Sequence, residues 1–334
     1  MPPHLHLSDI TRASRRLAGW VRSTPLLPIR SQAERLGVPV FLKAENLQEG
    51  GAFKLRGATH ALLAARERGE LLSGVVTFSS GNHGQACAMA ARRLGLPACV
   101  AMPEDAPGVK VDAVRRHGAE VLFAGKTSDD RRAAAERIVA ERGWRLVPPF
   151  DDADIVAGQG TAGLEIVREL PEVATVVVPC GGGGLLAGVA TAVRSSQPGA
   201  RIVGVEPSTA PKMARSLAAG APVSAPPGPS LADGLRPSAP GAIPLALVRE
   251  YQVAMTTVED PELLEAMALL LYEMKLVVEP SGAAGLAALA QGRISVGKGP
   301  VVVVLTGGNL DPSLLARVAA SGGPPAAAAR GAAL

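Results

Sequence analysis

Short unbroken runs of aliphatic and β-branched residues recur along the chain, and longer stretches with helical spacing of apolar positions separate them. The runs predict strands at 39–43, 74–78, 98–102, 120–123, 174–178, 201–205 and 300–305. The stretches predict helices at 8–19, 54–68, 83–94, 108–117, 128–142, 159–169, 185–196, 260–274, 281–291 and 311–319. Strands alternating with helices imply parallel sheets with helical crossovers, and near-continuous apolar strands imply sheets covered on both faces. The fold class is α/β, with two open-sheet αβα domains of mostly parallel strands. Residues 74–151 form a smaller, mobile domain, residues 1–73 and 152–320 a larger one, and 321–334 a disordered tail.

Composition narrows the function. Hydrophobic residues are 47% of the 334 and charged residues 19%, which supplies a core and excludes a disordered chain. Aromatics at 3% argue against a surface that stacks bases or sugars. The net charge of +4 is spread without a basic block, and 27 of the 34 cations are Arg against 7 Lys, so no nucleic-acid partner is expected. Cys87, Cys99 and Cys180 lack metal-ligand spacing and read as buried thiols of a reducing compartment. The N-terminal residues show no apolar signal core, so a cytoplasmic protein is expected. The uncharged stretch 173–193 is long enough to span a bilayer, but Pro179 and four glycines interrupt it. It reads as strand, turn and helix, and no membrane partner is expected. The Pro/Gly/Ser-rich stretch 220–241 reads as an irregular surface connection.

Ligands of open α/β folds collect beyond the carboxyl ends of strands, and three of four suggestive segments lie there. Gly181, Gly182, Gly183 and Gly184 follow a buried strand and open an apolar helix; such a turn aims backbone N–H groups and a helix dipole at a phosphate. The alternative is a flexible connector. Ser79, Ser80, Asn82 and His83 follow another strand and suit a carboxylate or phenolate oxygen, or simply cap a helix. Lys54, after a glycine pair and Phe53, is a candidate for a depressed pKa and a Schiff base, or else a solvated helix lysine. Thr306, at the end of the strongest strand, can hydrogen-bond a neutral ring nitrogen, or sit in a turn.

Two other patterns compete. The run 182–187 matches the dinucleotide fingerprint, with Glu206 ending the next strand where a ribose-binding acid belongs, which suggests an NAD-dependent oxidoreductase. The run 158–163 also matches, but no strand precedes it. The histidines form no cluster: His4 and His6 fall in a frayed end, and His60 and His117 on helix surfaces.

Taken together, the segments GGAFKLRGA, SSGNHGQA, AGQGT, PCGGGGLLAG, VEP, ADGLRP, VEPSGAAGLAAL and LTGGN resemble the threonine dehydratase and serine racemase family of pyridoxal-phosphate (PLP) enzymes, fold type II, across about residues 17–317. The resemblance implies pyridoxal 5'-phosphate as cofactor and makes the larger domain the one that binds it. Lys54 would hold the cofactor as a Schiff base, Phe53 pack by its ring and Asn82 meet its phenolic oxygen. Gly181, Gly182, Gly183, Gly184 and Leu185 would hold the phosphate, and Thr306 the pyridine nitrogen. Glu279 would lie near the ring, and Gly234 would line the pocket. Ser79, Ser80, Asn82 and His83 would receive the substrate, with Ser80 matching the opposite-face acid/base of racemases.

The implied reaction is β-elimination from L-threonine and L-serine, giving a 2-oxo acid and ammonia. Lys54 would remove the α-proton while the cofactor spreads the negative charge. Serine racemisation and 3-hydroxyaspartate dehydration are alternatives on the same scaffold. Several positions depart from the family pattern. Ala52 stands where the family often has Ser, and Phe150 resembles dehydratases more than animal serine racemases. Glu206 and Ala210 match two ligands of the metal-dependent members, but Lys212 occupies the third position, so no divalent site is expected. No isoleucine-binding regulatory domain is expected beyond the last helix. The resemblance also implies a homodimer.

Overall fold

The computed structural model describes residues 5–79, 81–226 and 228–320. The chain opens with α1 (Leu7–Arg16), β1 (Leu26–Pro28), α2 (Arg30–Leu36), β2 (Val40–Ala44) and α3 (Lys54–Glu67). It then runs through β3 (Val75–Phe78), α4 (Asn82–Arg93), β4 (Ala98–Met102), α5 (Gly108–Arg115), β5 (Glu120–Phe123), α6 (Ser128–Arg142) and β6 (Arg145–Leu146). Next come α7 (Ala153–Glu169), β7 (Thr175–Pro179), α8 (Gly184–Ser196), β8 (Arg201–Pro207), α9 (Lys212–Ala219) and α10 (Ala242–Glu250). The last elements are β9 (Ala254–Val258), α11 (Asp260–Tyr272), α12 (Pro280–Ala290), β10 (Val301–Leu305) and α13 (Pro312–Ala320).

Two sheets result. One is six-stranded in the order β1-β2-β10-β7-β8-β9, the other four-stranded in the order β5-β4-β3-β6. Every pairing is parallel except β1 with β2. Strands β7 and β10 are buried along their whole length, as their unbroken valine runs demand. The chain leaves the larger sheet after β2, builds the smaller one, and returns through α7. Both sheets therefore aim their carboxyl ends at the space between them.

Helices α7 and α8 lie unusually close. A β-carbon on Gly188 would come 2.5 Å from the Val156 carbonyl, and one on Gly160 would come 2.9 Å from the Gly188 carbonyl. This contact explains Gly160 and Gly163, which let α8 approach, while Gly158 faces α3, where a β-carbon would come 2.7 Å from the Arg56 carbonyl; all three lie inside α7 rather than in a dinucleotide loop. The close packing fixes the N-terminus of α8, and so the glycine turn that precedes it. Among the described residues no helix is long and apolar enough to cross a membrane.

Several expectations need correction. Strands β1, β6 and β9 and helices α2, α9 and α10 were not apparent in the apolar pattern, and α7 begins six residues earlier than the pattern suggests. His60 is not on a helix surface: it is 2% exposed, between the Asp154 carbonyl and Arg16. His6 is not frayed but forms the N-cap of α1 with a capping box to Asp9. The stretch 220–241 is irregular, yet Ala232 and Leu235 are buried and residues 233–241 line a cleft, so its second half is a wall rather than a surface connection. The tail 321–334, His4 and Ser80 lie outside the described residues.

Candidate active site

A cleft of about 490 Å³ opens between the two sheets. Its lining brings together Phe53, Lys54, Ser79, Asn82, His83, Gly181, Gly182, Gly183, Gly184, Leu185, Gly234, Glu279 and Thr306. Every sequence-selected residue except Ser80, which lies outside the described residues, therefore meets in one place.

Lys54 begins α3. Phe53 is anchored by donating its N–H to the Thr306 carbonyl at 3.1 Å, and Ala52 bridges to Gly307. The start of α3 is thus tied to the end of β10. The Lys54 ammonium donates to the Pro149 carbonyl at 2.6 Å and lies 5.1 Å from the Phe53 ring centre. Burial pushes it down to about 8, against a weaker opposing effect of Cys87. About a tenth of Lys54 is therefore neutral and nucleophilic at pH 7, against far less than a hundredth for an ordinary lysine.

The glycine turn follows β7. A β-carbon on Gly182 would fall 2.3 Å from the Phe150 ring, one on Gly184 2.7 Å from Gln159 Oε1, and one on Gly181 2.8 Å from the Gly234 carbonyl. Gly183 takes φ +96°. No side chain fits, so the turn can present only backbone to the cleft. The first N–H groups of α8 lack intrahelical acceptors, and the helix dipole adds positive potential. A phosphate dianion suits such a cradle.

Asn82, Glu279 and Asn309 form a chain across the cleft. Asn82 Nδ2 donates to Glu279 Oε1 at 2.7 Å, and Asn309 Nδ2 donates to Asn82 Oδ1 at 3.0 Å. Burial, then the nearby Asp233 charge, push Glu279 up to about 8, so it is protonated at neutral pH. The Ser79 hydroxyl accepts the Gly81 N–H at 3.1 Å, and Gly234 N–H donates to Ser281 Oγ at 3.0 Å. The His83 imidazole bonds the Val147 carbonyl at 3.0 Å. Burial and the Lys54 charge push it down to about 3, so it stays neutral.

Behind the cleft, the Lys212 ammonium is ringed by oxygens. They are the Leu235 carbonyl at 2.9 Å, Glu206 Oε1 at 3.1 Å, the Ala210 carbonyl at 3.3 Å and the Cys180 carbonyl at 3.4 Å. Glu206 also accepts the N–H groups of Met213 and Ala214, at 2.9 and 3.1 Å. With its carboxylate committed there, Glu206 is not free to bind a ribose, and the dinucleotide reading loses its acid. Among the described residues no cluster of three or more His, Cys, Asp or Glu could hold a metal. The three cysteines are buried and unpaired.

Sequence reasoning missed two contributors. The Pro149 carbonyl that receives Lys54 gives no signal in the chain. Lys110 and Asp233 form an ion pair within the cleft lining; their separation of 123 positions hides it, although lysine is scarce in this sequence.

A backbone-only phosphate cradle facing a desolvated lysine fits a PLP enzyme, and a family model described as pyridoxal-phosphate dependent enzyme matches residues 17–307. The chain belongs to that family, within its fold type II, threonine dehydratase/serine racemase-like branch. It is 45% identical over 302 residues to the L-threonine ammonia-lyase of Geobacter sulfurreducens, covering 90% of this chain and 75% of that protein. It is 41% identical over 306 residues to the L-threo-3-hydroxyaspartate ammonia-lyase of Saccharomyces cerevisiae, covering 91% and 93%. The structure of maize serine racemase superposes with a TM-score of 0.89 at 34% identity, covering 95% of this chain and 98% of that one.

Proposed function

We propose that this chain deaminates L-threonine and L-serine by β-elimination: water is lost from the substrate and taken up again on hydrolysis, so the net products are a 2-oxo acid and ammonia. The observation that carries the reading is the placement of the Lys54 amine and the glycine cradle in one cleft, in a chain 45% identical to a threonine ammonia-lyase. Lys54 would tether pyridoxal phosphate; Gly181, Gly182, Gly183, Gly184 and Leu185 would hold its phosphate, and Phe53, Asn82, Gly234, Glu279 and Thr306 would surround its ring. When bound, the cofactor supplies an electron sink for charge that develops at the substrate α-carbon.

The protein's own groups do the rest. Lys54, its pKa brought down to about 8 by burial, would take the proton from the α-carbon in its neutral form. Thr306, 3% exposed, would offer the ring nitrogen a neutral hydroxyl rather than a carboxylate, and so would favour loss of the β-hydroxyl over transamination. Protonated Glu279 adds no negative charge beside the ring. Ser79, Ser80, Asn82 and His83 would receive the substrate carboxylate. Lys212 supplies a fixed cation where the metal-dependent relatives are expected to bind one. The same reading makes the enzyme a cytoplasmic homodimer.

The test is a panel of β-hydroxy amino acids on purified holoenzyme, following ammonia, 2-oxo acid and the chirality of residual substrate, with and without added Mg²⁺ or Mn²⁺. The expected result is turnover of threonine and serine without strong metal activation. Predominant inversion at the α-carbon would shift the assignment to a racemase, and preference for 3-hydroxyaspartate to that dehydratase. Strong activation of metal-stripped protein would overturn the role given to Lys212.

A further inference from the structure

Five lysine and arginine side chains line the cleft: Lys54, Lys110, Arg131, Arg132 and Arg236. Three are already engaged. Lys54 donates to the Pro149 carbonyl, Lys110 pairs with Asp233, and Arg132 pairs with Glu136 at 2.9 Å. Arg236 differs. Among the described residues no hydrogen bond or ion pair holds its guanidinium, and its Nε is buried without a partner. Asp151, an acid of the same lining, turns its Oδ1 to the Ile243 N–H at 3.0 Å instead.

Arg131, 9% exposed near the start of α6, has the same atom free. Its Nη atoms donate to the Lys126 carbonyl at 3.2 Å and to Ser128 Oγ at 3.0 Å, which fixes the guanidinium plane, but its Nε is buried and unpartnered. The two arginines enter the lining from opposite sides. Helix α6 packs on the smaller sheet, whereas Arg236 follows the turn Asp233–Leu235, pinned to α12 of the larger one through the Gly234 N–H and Ser281 Oγ at 3.0 Å. Gly234 and Pro237, on either side of Arg236 in the chain, also brace against the glycine turn: a β-carbon on Gly181 would come 2.8 Å from the Gly234 carbonyl and 3.7 Å from Pro237 Cδ. Nε and one Nη form the edge by which an arginine grips a carboxylate through two parallel hydrogen bonds. A buried N–H with no acceptor has lost its hydration for nothing, and native proteins keep such groups where a ligand or water completes them. Threonine and serine side chains end in an uncharged hydroxyl or methyl, so neither supplies an anion here.

We infer that Arg236, supported by Arg131, binds a second anionic group in the cleft, separate from the α-carboxylate: a carboxylate at the far end of the amino acid, or a small free oxyanion beside it. The inference rests on the reading of this cleft as an amino-acid site. Arg236 is then a specificity-determining residue, and it acts on the charge of the ligand rather than on its size.

The experiment measures binding to the holoenzyme by titration calorimetry near neutral pH. L-Aspartate and L-asparagine have nearly the same shape, differ in charge at the far end, and carry no β-hydroxyl to lose. Wild type should bind L-aspartate about tenfold or more tightly than L-asparagine, the scale of one charge-assisted hydrogen bond. Arg236→Met should erase this preference and leave L-asparagine within about twofold. Arg236→Lys should keep part of it, and Arg131→Met should reduce it without abolishing it. A free oxyanion shows itself differently: inorganic phosphate then binds holoenzyme saturated with L-alanine, Arg236→Met removes that binding, and L-aspartate has no advantage. Binding of L-alanine and L-asparagine with neither signature overturns the inference alone. So does an equal loss of L-aspartate and L-asparagine in Arg236→Met, or a loss of pyridoxal phosphate from that variant, because Arg236 would then serve the fold or the cofactor. A wild-type holoenzyme that binds none of the three amino acids removes the amino-acid reading itself, and the inference with it.

Discussion

Lys54 and Arg56 stand two residues apart at the start of α3, and their surroundings could hardly differ more. Lys54 reaches into the cleft and donates to a single carbonyl. Arg56 is 0% exposed and turns the other way, where Glu45 holds it at 2.8 Å and Glu165 at 2.6 Å, with Thr161 at 3.2 Å. Lys43, also 0% exposed, adds a second cation 2.7 Å from Glu165. Burial lowers both α3 cations, but for Arg56 the two carboxylates more than reverse it and its pKa rises. Glu165, which burial would raise, is drawn down by Arg56 and Lys43. One helix turn therefore presents a saturated charge to the core and an unsatisfied one to the cleft. Saturation makes a cation structural; desolvation without a counter-charge makes it reactive.

The contrast can be broken from either side. Lys54→Ala should lower turnover by about 10³-fold or more, because the nucleophile is gone, while the fold survives since its one partner, the Pro149 carbonyl, lines the open cleft. Initial rates together with thermal unfolding check this; near-wild-type turnover would remove Lys54 from the chemistry. Arg56→Met should do the reverse. It leaves Glu45, itself 0% exposed, and Glu165 without their main partner, and should cost about 3–5 kcal/mol of stability, read from urea denaturation. A loss under about 1 kcal/mol would mean that water or Lys43 neutralises the cluster unaided.

The smallest effect sharpens the comparison through pH. Only an unprotonated amine attacks a carbonyl, so capture of pyridoxal phosphate by cofactor-free protein should speed up as pH rises. Half of the increase should be reached near pH 8, rather than near the ~10.4 of an ordinary lysine. Stopped-flow absorbance measures it, and a rate still climbing steeply above pH 9 would show Lys54 to be solvated like any surface lysine.

The cleft was largely legible because its parts are local. Four glycines after a valine strand, and a hydroxyl after another, declare themselves within a few residues. The resemblance then assigned their roles. The elements that escaped are those with weak local signals. Strand β9 has a threonine pair and lies at a sheet edge, while β1 and β6 have three and two residues. Helices α2, α9 and α10 are short and lack side-chain caps. His60 looked like a surface residue because its partners Arg16 and Asp154 come from other helices. One compositional hint was available. In a chain that favours Arg, four of its seven lysines, Lys43, Lys54, Lys110 and Lys212, end up buried or in the cleft.

The oxygen cage around Lys212 has a practical meaning. The positive charge that joins the glycine turn, the end of β8 and the Leu235 carbonyl is covalently part of the polypeptide. It cannot be leached by a chelator, diluted away during purification, or exchanged for a competing ion. Whatever the supply of dissolved cations around it, this corner of the molecule arrives from the ribosome with its counter-ion already installed.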